Sequence, residues 1–257
     1  MKIVGSRPSP EKGTGPVNLR VPSPFPGWRV ATAAPRGYIR GMGQRVHVKI
    51  CGVTNEADGR QAALLGADAV GINFHAPSPR AVSLPTAEFI LRELPPFVEA
   101  VAVYVDEPLR NVFPMLNQLG RIRTIQMHGT LREMCDAYPF HFIPAFPVVD
   151  KQSLMEIGHY LDTCRAVSKM PSAILVDGHA PGQHGGTGRS PPWGLLGDRR
   201  WDVLLILAGG LTPENVAEAI RVVRPYAVDV ASGVEASPGH KDPEKMRRFI
   251  DVVRNVD

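Results

Sequence analysis

Two residues of this 257-residue chain close apolar runs with groups that could do chemistry. Cys51 ends the run in VKICGVTN (48–55), and Asp177 ends SAILVD (172–177). A thiol and a carboxyl group at the ends of two strands could divide the acid and base work on one substrate. Each also has a plainer reading. A buried free cysteine packs as a small hydrophobe, and an aspartate at a strand end serves as a helix cap or an ion-pair partner. Aspartate is disfavoured within strands, which marks position 177. Three further stretches set glycines among small polar residues: GGTG (185–188), AGG (208–210) and SGVE (232–235). Bare backbone N–H groups can converge on an anion there, because a Cβ would hold an oxyanion off the chain. The eight histidines and the cysteines Cys51, Cys135 and Cys164 show no metal-ligand spacing and no CxxC. No metal and no cofactor is therefore expected, and so sparse and odd a cysteine count fits a reducing cytoplasm.

These groups need a scaffold that brings distant strand ends together. From residue 45 onward, short apolar runs alternate with helical patterns. The runs 46–51, 68–74, 98–105, 122–127, 140–146, 172–177, 203–209 and 227–231 read as strands, mostly without polar alternation, as in parallel strands covered on both faces. Helices are predicted over 55–66, 85–94, 108–119, 130–137, 151–165, 193–200, 213–223 and 242–254. Asn55 and Asp242 read as N-caps, Thr212-Pro213-Glu214 as a cap followed by N1 and an acid on the positive end of the dipole, and Gly66 as a stop. Eight strand–helix repeats in about 210 residues predict an α/β fold, a single (β/α)8 TIM barrel. An open doubly wound sheet would want GxGxxG after its first strand, and the sequence CGVTNEADG has none.

In a barrel, catalytic groups sit at the C-terminal strand ends, and phosphate is commonly held after the seventh and eighth strands. Gly209 and Gly210, with Ser232 and Gly233, occupy those two places. A small phosphorylated ligand is therefore expected, with Gly186 of the loop after the sixth strand as a further amide. By alternation Asp229 faces inward between Val228 and Val230, and Lys49 shares the face of Cys51. Lys49 is counted with Arg80 and Asp229 among the substrate-binding candidates; it reads either as an electrostatic partner of the thiol or as a packed charge neutralised by an acid such as Asp229.

The net charge of +4 could point to nucleic acid. Residues 1–44, however, carry seven Lys/Arg and one acid, Glu11, so they hold +6 and residues 45–257 carry −2. The tail has seven prolines and little apolar periodicity, which predicts a disordered extension ahead of a catalytic barrel domain at 45–257. No nucleic-acid partner is expected for that domain. No membrane partner is expected either, since no apolar run approaches the ~18 residues that cross a bilayer. A monomer or a homodimer is expected.

The stretches VKICGVTN, GADAVGINF (66–74), SPRAVSL (78–84), IQMHG (125–129), ILVDG (174–178), GGTGR…W (185–193), LAGGLTPENVAEAI (207–220) and VDVASGVE…GHKDPEKM (228–246) together resemble the phosphoribosylanthranilate isomerase family, over about 45–255. The resemblance implies an Amadori rearrangement of N-(5-phosphoribosyl)anthranilate to 1-(2-carboxyphenylamino)-1-deoxyribulose 5-phosphate, the third step of tryptophan synthesis from chorismate. By the family pattern Asp177 is the general acid and Cys51 the general base. Arg80 binds the anthranilate carboxylate, and Asp229 contacts the amino-linked region of the substrate. Those roles ask for an Asp177 pKa raised from about 3.9 and a Cys51 pKa lowered from about 8.5. Asn73, Gly178 and Pro191-Pro192 depart from the usual pattern. The rival readings are the related isomerase of the histidine pathway, which would end its first strand in aspartate, and a non-catalytic phosphate-binding barrel.

Overall fold

A computed structural model describes residues 45–129, 139–178, 190–197 and 199–256. The predicted extension at 1–44 and the predicted helix at 130–137 lie outside these residues, as does Gly186. The described elements run β1 (His47–Cys51), α1 (Glu56–Leu65), β2 (Ala69–Asn73), α2 (Leu84–Glu93), β3 (Glu99–Val105), α3 (Leu109–Leu119), β4 (Thr124–His128), β5 (His141–Pro147) and α4 (Lys151–Ala166). They continue β6 (Ala173–Asp177), α5 (Trp193–Gly197), β7 (Leu204–Leu207), α6 (Val216–Val223), β8 (Ala227–Val230), a 3₁₀ turn (Ser232–Val234), β9 (Glu235–Ser237), β10 (His240–Lys241) and α7 (Pro243–Arg254). Strands β1 to β8 pair in chain order, and β8 pairs back onto β1, closing a parallel barrel.

The strand residues that alternate outward pack against the helices. Ile50, Ile72, Ile125, Ile174 and Leu207 are fully buried this way, each side chain contributing roughly 1.5–3 kcal/mol. A second apolar group of Ile143, Ala145, Leu175, Ile206 and Ala227 fills the barrel interior. Inward positions nearer the mouth are polar: Lys49, Gln126 and Asp229 are all buried. The interior is therefore apolar on the β5–β7 side and charged where β1 meets β8.

Local signals decide the helix starts. Asn55 caps α1, its side chain accepting from the Asp58 N–H at 2.9 Å, and Gly66 ends the helix in the left-handed region at φ 99°. Asp242 caps α7 by accepting from the N–H groups of Glu244 and Lys245. The expected start of α6 at Thr212-Pro213 is corrected: 213–215 form a turn, and the helix begins at Val216. The cause is Asn215, whose side chain accepts from the Thr212 N–H at 2.8 Å and donates to the Gly210 carbonyl at 2.8 Å, tying the chain back to the end of β7.

Candidate active site

The C-terminal strand ends surround a cavity that opens to solvent. Cys51, Arg80, Asp177, Gly209, Gly210, Asp229, Ser232 and Gly233 all line it. Chain positions 51 and 177 thus meet at one mouth. Closure of the barrel does this, because every parallel strand delivers its last residue to the same face.

Cys51 is a free cysteine of intermediate burial. Its neighbour across the ladder is Gly71, and a Cβ there would stand 2.7 Å from the Cys51 sulfur and 3.0 Å from Lys49 Nζ. Gly71 therefore makes the room in which thiol and ammonium coexist. Lys49 donates to Asp229 Oδ1 at 2.9 Å in a buried ion pair. Desolvation pulls the Lys49 pKa down, but Asp229 and the Cys51 thiol lift it above its ordinary value. Burial holds Asp229 above the usual carboxylate range; Lys49 opposes this, and the charge of Asp177 adds to it. Asp229 thus lies within electrostatic reach of both Cys51 and Asp177.

Two expectations change here. The Cys51 thiol is pushed up, not down, from its ordinary 9.0: burial acts first, the Asp229 charge second, and the opposing Lys49 and Lys241 do not overcome them. Much of the Lys49 field is spent on Asp229. Lys49 itself does not belong to the cavity lining. Contrary to the expectation of a substrate-binding side chain, its ammonium is committed to the buried ion pair with Asp229.

Arg80 is carried by the loop between β2 and α2, which Asn73 organises. The Asn73 side chain accepts from the His75 N–H at 2.8 Å and donates to Ser78 Oγ at 3.2 Å, and Ser78 Oγ accepts from the Arg80 N–H at 3.1 Å. The departure from the family pattern at position 73 is thus a loop-building residue. The stem of Arg80 crosses Gly52, where a Cβ would run into it and where φ is 72°. Its guanidinium donates to Glu235 through Nε at 2.8 Å and Nη2 at 2.6 Å, with Glu235 buried.

After β7, Gly209 and Gly210 adopt φ 90° and 60°, conformations open chiefly to glycine. Ser232 opens the 3₁₀ turn after β8. These backbones occupy the two positions where barrels bind phosphate. Sequence reasoning passed over the end of β4, although QMHG was visible there. Gln126 and His128 line the cavity and meet at 2.8 Å through their Nε2 atoms. Gln126 Oε1 is buried without a hydrogen-bond partner among the described residues, so a ligand donor would complete it. Lys241 was also missed, and nothing local in GHKD marks it as buried. Among the described residues no cluster of histidine, cysteine or acidic side chains could hold a metal ion.

Fold and cavity together define a (β/α)8 barrel with an open pocket at the C-terminal strand ends, the face where enzymes of this fold carry their active sites. The sequence profile of the N-(5'phosphoribosyl)anthranilate (PRA) isomerase family matches residues 48–252. The N-(5'-phosphoribosyl)anthranilate isomerase of Acidithiobacillus ferrooxidans is 44% identical over 213 residues, which is 82% of this chain and 98% of that protein. The crystal structure of phosphoribosyl anthranilate isomerase from Thermotoga maritima superimposes with a TM-score of 0.72 at 36% identity, covering 81% of this chain and 98% of the other. A crystal structure of such an isomerase in complex with reduced 1-(o-carboxyphenylamino)-1-deoxyribulose 5-phosphate gives a TM-score of 0.68 at 35% identity, with 81% and 98% covered. The chain belongs to the phosphoribosylanthranilate isomerase family.

Proposed function

We propose that this cavity converts N-(5-phosphoribosyl)anthranilate to 1-(2-carboxyphenylamino)-1-deoxyribulose 5-phosphate, with Asp177 as general acid and Cys51 as general base. Asp177 gives a proton to the furanose ring oxygen as the amine lone pair expels it, opening the ring to an imine. Cys51, as thiolate, then takes the C2′ proton, and the electron pair left behind forms the enolamine. Protonation of carbon and loss of the hydroxyl proton give the ketone, so the sum is an isomerisation with no oxidant and no cofactor. Substrate binding divides among the phosphate on the Gly209–Gly210 and Ser232–Gly233 backbones, the aryl carboxylate on Arg80, and Asp229 beside the amino-linked carbon.

The observation that carries this reading is that Cys51 and Asp177, 126 positions apart, line one cavity with both glycine backbones. The raised thiol is compatible with it, since a thiolate formed there is the stronger base for having the higher pKa. Among the described residues no helix is long and apolar enough to cross a membrane. A cytoplasmic site of action rests on the sparse, odd count of three cysteines in the sequence. Purified protein added to fluorescent N-(5-phosphoribosyl)anthranilate should give saturable loss of the signal. No consumption above the spontaneous rate overturns the proposal.

A further inference from the structure

A buried cluster that the reaction does not use directly lies behind Arg80. Glu235, the first residue of β9, accepts from Arg80 Nε at 2.8 Å, Arg80 Nη2 at 2.6 Å, Lys241 Nζ at 2.8 Å and the Gly239 N–H at 3.4 Å. Lys241, on β10, has a fully buried side chain and also donates to the Ala231 carbonyl at 3.2 Å. The β9–β10 hairpin thus folds back under the loop that carries Arg80, and residues 155 positions apart share two hydrogen bonds.

A guanidinium has five N–H donors in a planar fork. Glu235 takes two of them, on the Nε/Nη2 edge. Three remain, two on Nη1 and one on Nη2, and this second edge matches a carboxylate in the same two-point geometry. The stem lies on Gly52, the backbone N–H is fixed by Ser78, and one edge is fixed by Glu235. The rotamer freedom that a free arginine would lose on binding a ligand has already been lost in folding. With Arg80 and Lys241 positive and Glu235 negative, the cluster keeps a net charge of +1 beside the cavity.

We propose that Glu235, held by Lys241, is a positioning residue that presents the second edge of Arg80 to the aryl carboxylate and so sets the preference for a carboxylated aromatic amine. The inference rests on the proposed function and adds to it the group that aims the carboxylate fork. A merely structural Glu235 would tie the hairpin to the barrel and weaken every ligand alike. A merely electrostatic one would be replaceable by any arrangement of net +1.

The test is calorimetric titration with two ligands: reduced 1-(o-carboxyphenylamino)-1-deoxyribulose 5-phosphate, and the same compound without its ring carboxylate. The proteins are the wild type, Glu235→Gln, Glu235→Gln/Lys241→Met and Arg80→Lys. The double variant keeps net +1 and leaves no buried lysine unpaired. Arg80→Lys keeps Glu235 and the charge but has no fork. The wild type should prefer the carboxylated ligand by roughly ten- to hundredfold. All three variants should lose most of that preference while binding the other ligand within about threefold of wild type. A double variant or Arg80→Lys with the wild-type preference overturns the proposal, and so does an equal weakening of both ligands. A wild type that binds neither ligand contradicts the proposed function and takes this inference with it, whereas losses confined to the variants leave that function standing.

Discussion

Cys51 lies between two buried charge groups that are built differently. On one side Lys49 and Asp229 form a one-to-one pair between adjacent strands, in register at the β1–β8 seam. On the other, Glu235 serves two cations, one from a loop and one from a hairpin. The strand pair sums to zero and is rigid, so it fixes the environment of the thiol. The loop cluster sums to +1 and keeps donors in hand, so it can take up an anion. Barrel strands give precision, and the segments beyond them give binding capacity.

The contrast predicts unequal costs. Lys49→Met strands Asp229 as an uncompensated buried charge and should destabilise by about 3–5 kcal/mol in urea unfolding. Lys241→Met leaves Glu235 bonded to Arg80 and should cost less, about 1–3 kcal/mol. Equal costs, or the reverse order, would break the distinction. Gly71→Ala sharpens it from the strand side. The added methyl, 2.7 Å from the Cys51 sulfur and 3.0 Å from Lys49 Nζ, should cost about 1–3 kcal/mol by overpacking and lower kcat, with the preference for the aryl carboxylate unchanged.

The two groups also act on the thiol in different ways. A base needs the thiolate, so the ionisation of Cys51, the rising limb in the pH profile of kcat/KM, should lie above the ordinary thiol value of 9.0. Lys241 opposes the upward shift of Cys51. Removing its charge destabilises the thiolate, so Lys241→Met should move the limb to higher pH; movement to lower pH would contradict the assigned electrostatics. The smallest effect belongs outside both groups. Arg92→Ala, which breaks an exposed i,i+4 pair with Glu88, should change stability by about 0.5 kcal/mol or less.

The barrel was legible because its signals are local: uninterrupted apolar strands, the Asn55 and Asp242 caps, and the stop at Gly66. The positions of Cys51 and Asp177 followed from the fold rule for strand ends. What could not be read required pairings across the chain. Glu235 stood in a quoted motif, yet its bonds to a residue 155 positions earlier depend on the β9–β10 hairpin, which carries no strong strand pattern. Lys49 was visible on the inward face, but whether its field reached the thiol or was spent on Asp229 depended on distances. The sign of the Cys51 shift was misjudged for the same reason. The role of Asn73 appeared only once its two bonds to the Arg80 loop were seen.

The central claim, that a carboxyl group and a thiol act on one bound sugar, is tested most directly by steady-state turnover of N-(5-phosphoribosyl)anthranilate by Asp177→Asn. The amide nearly preserves shape and removes the acid. The account predicts a fall in kcat of about 10²–10⁴-fold with KM changed by no more than a few-fold, and wild-type kcat in that variant would contradict it.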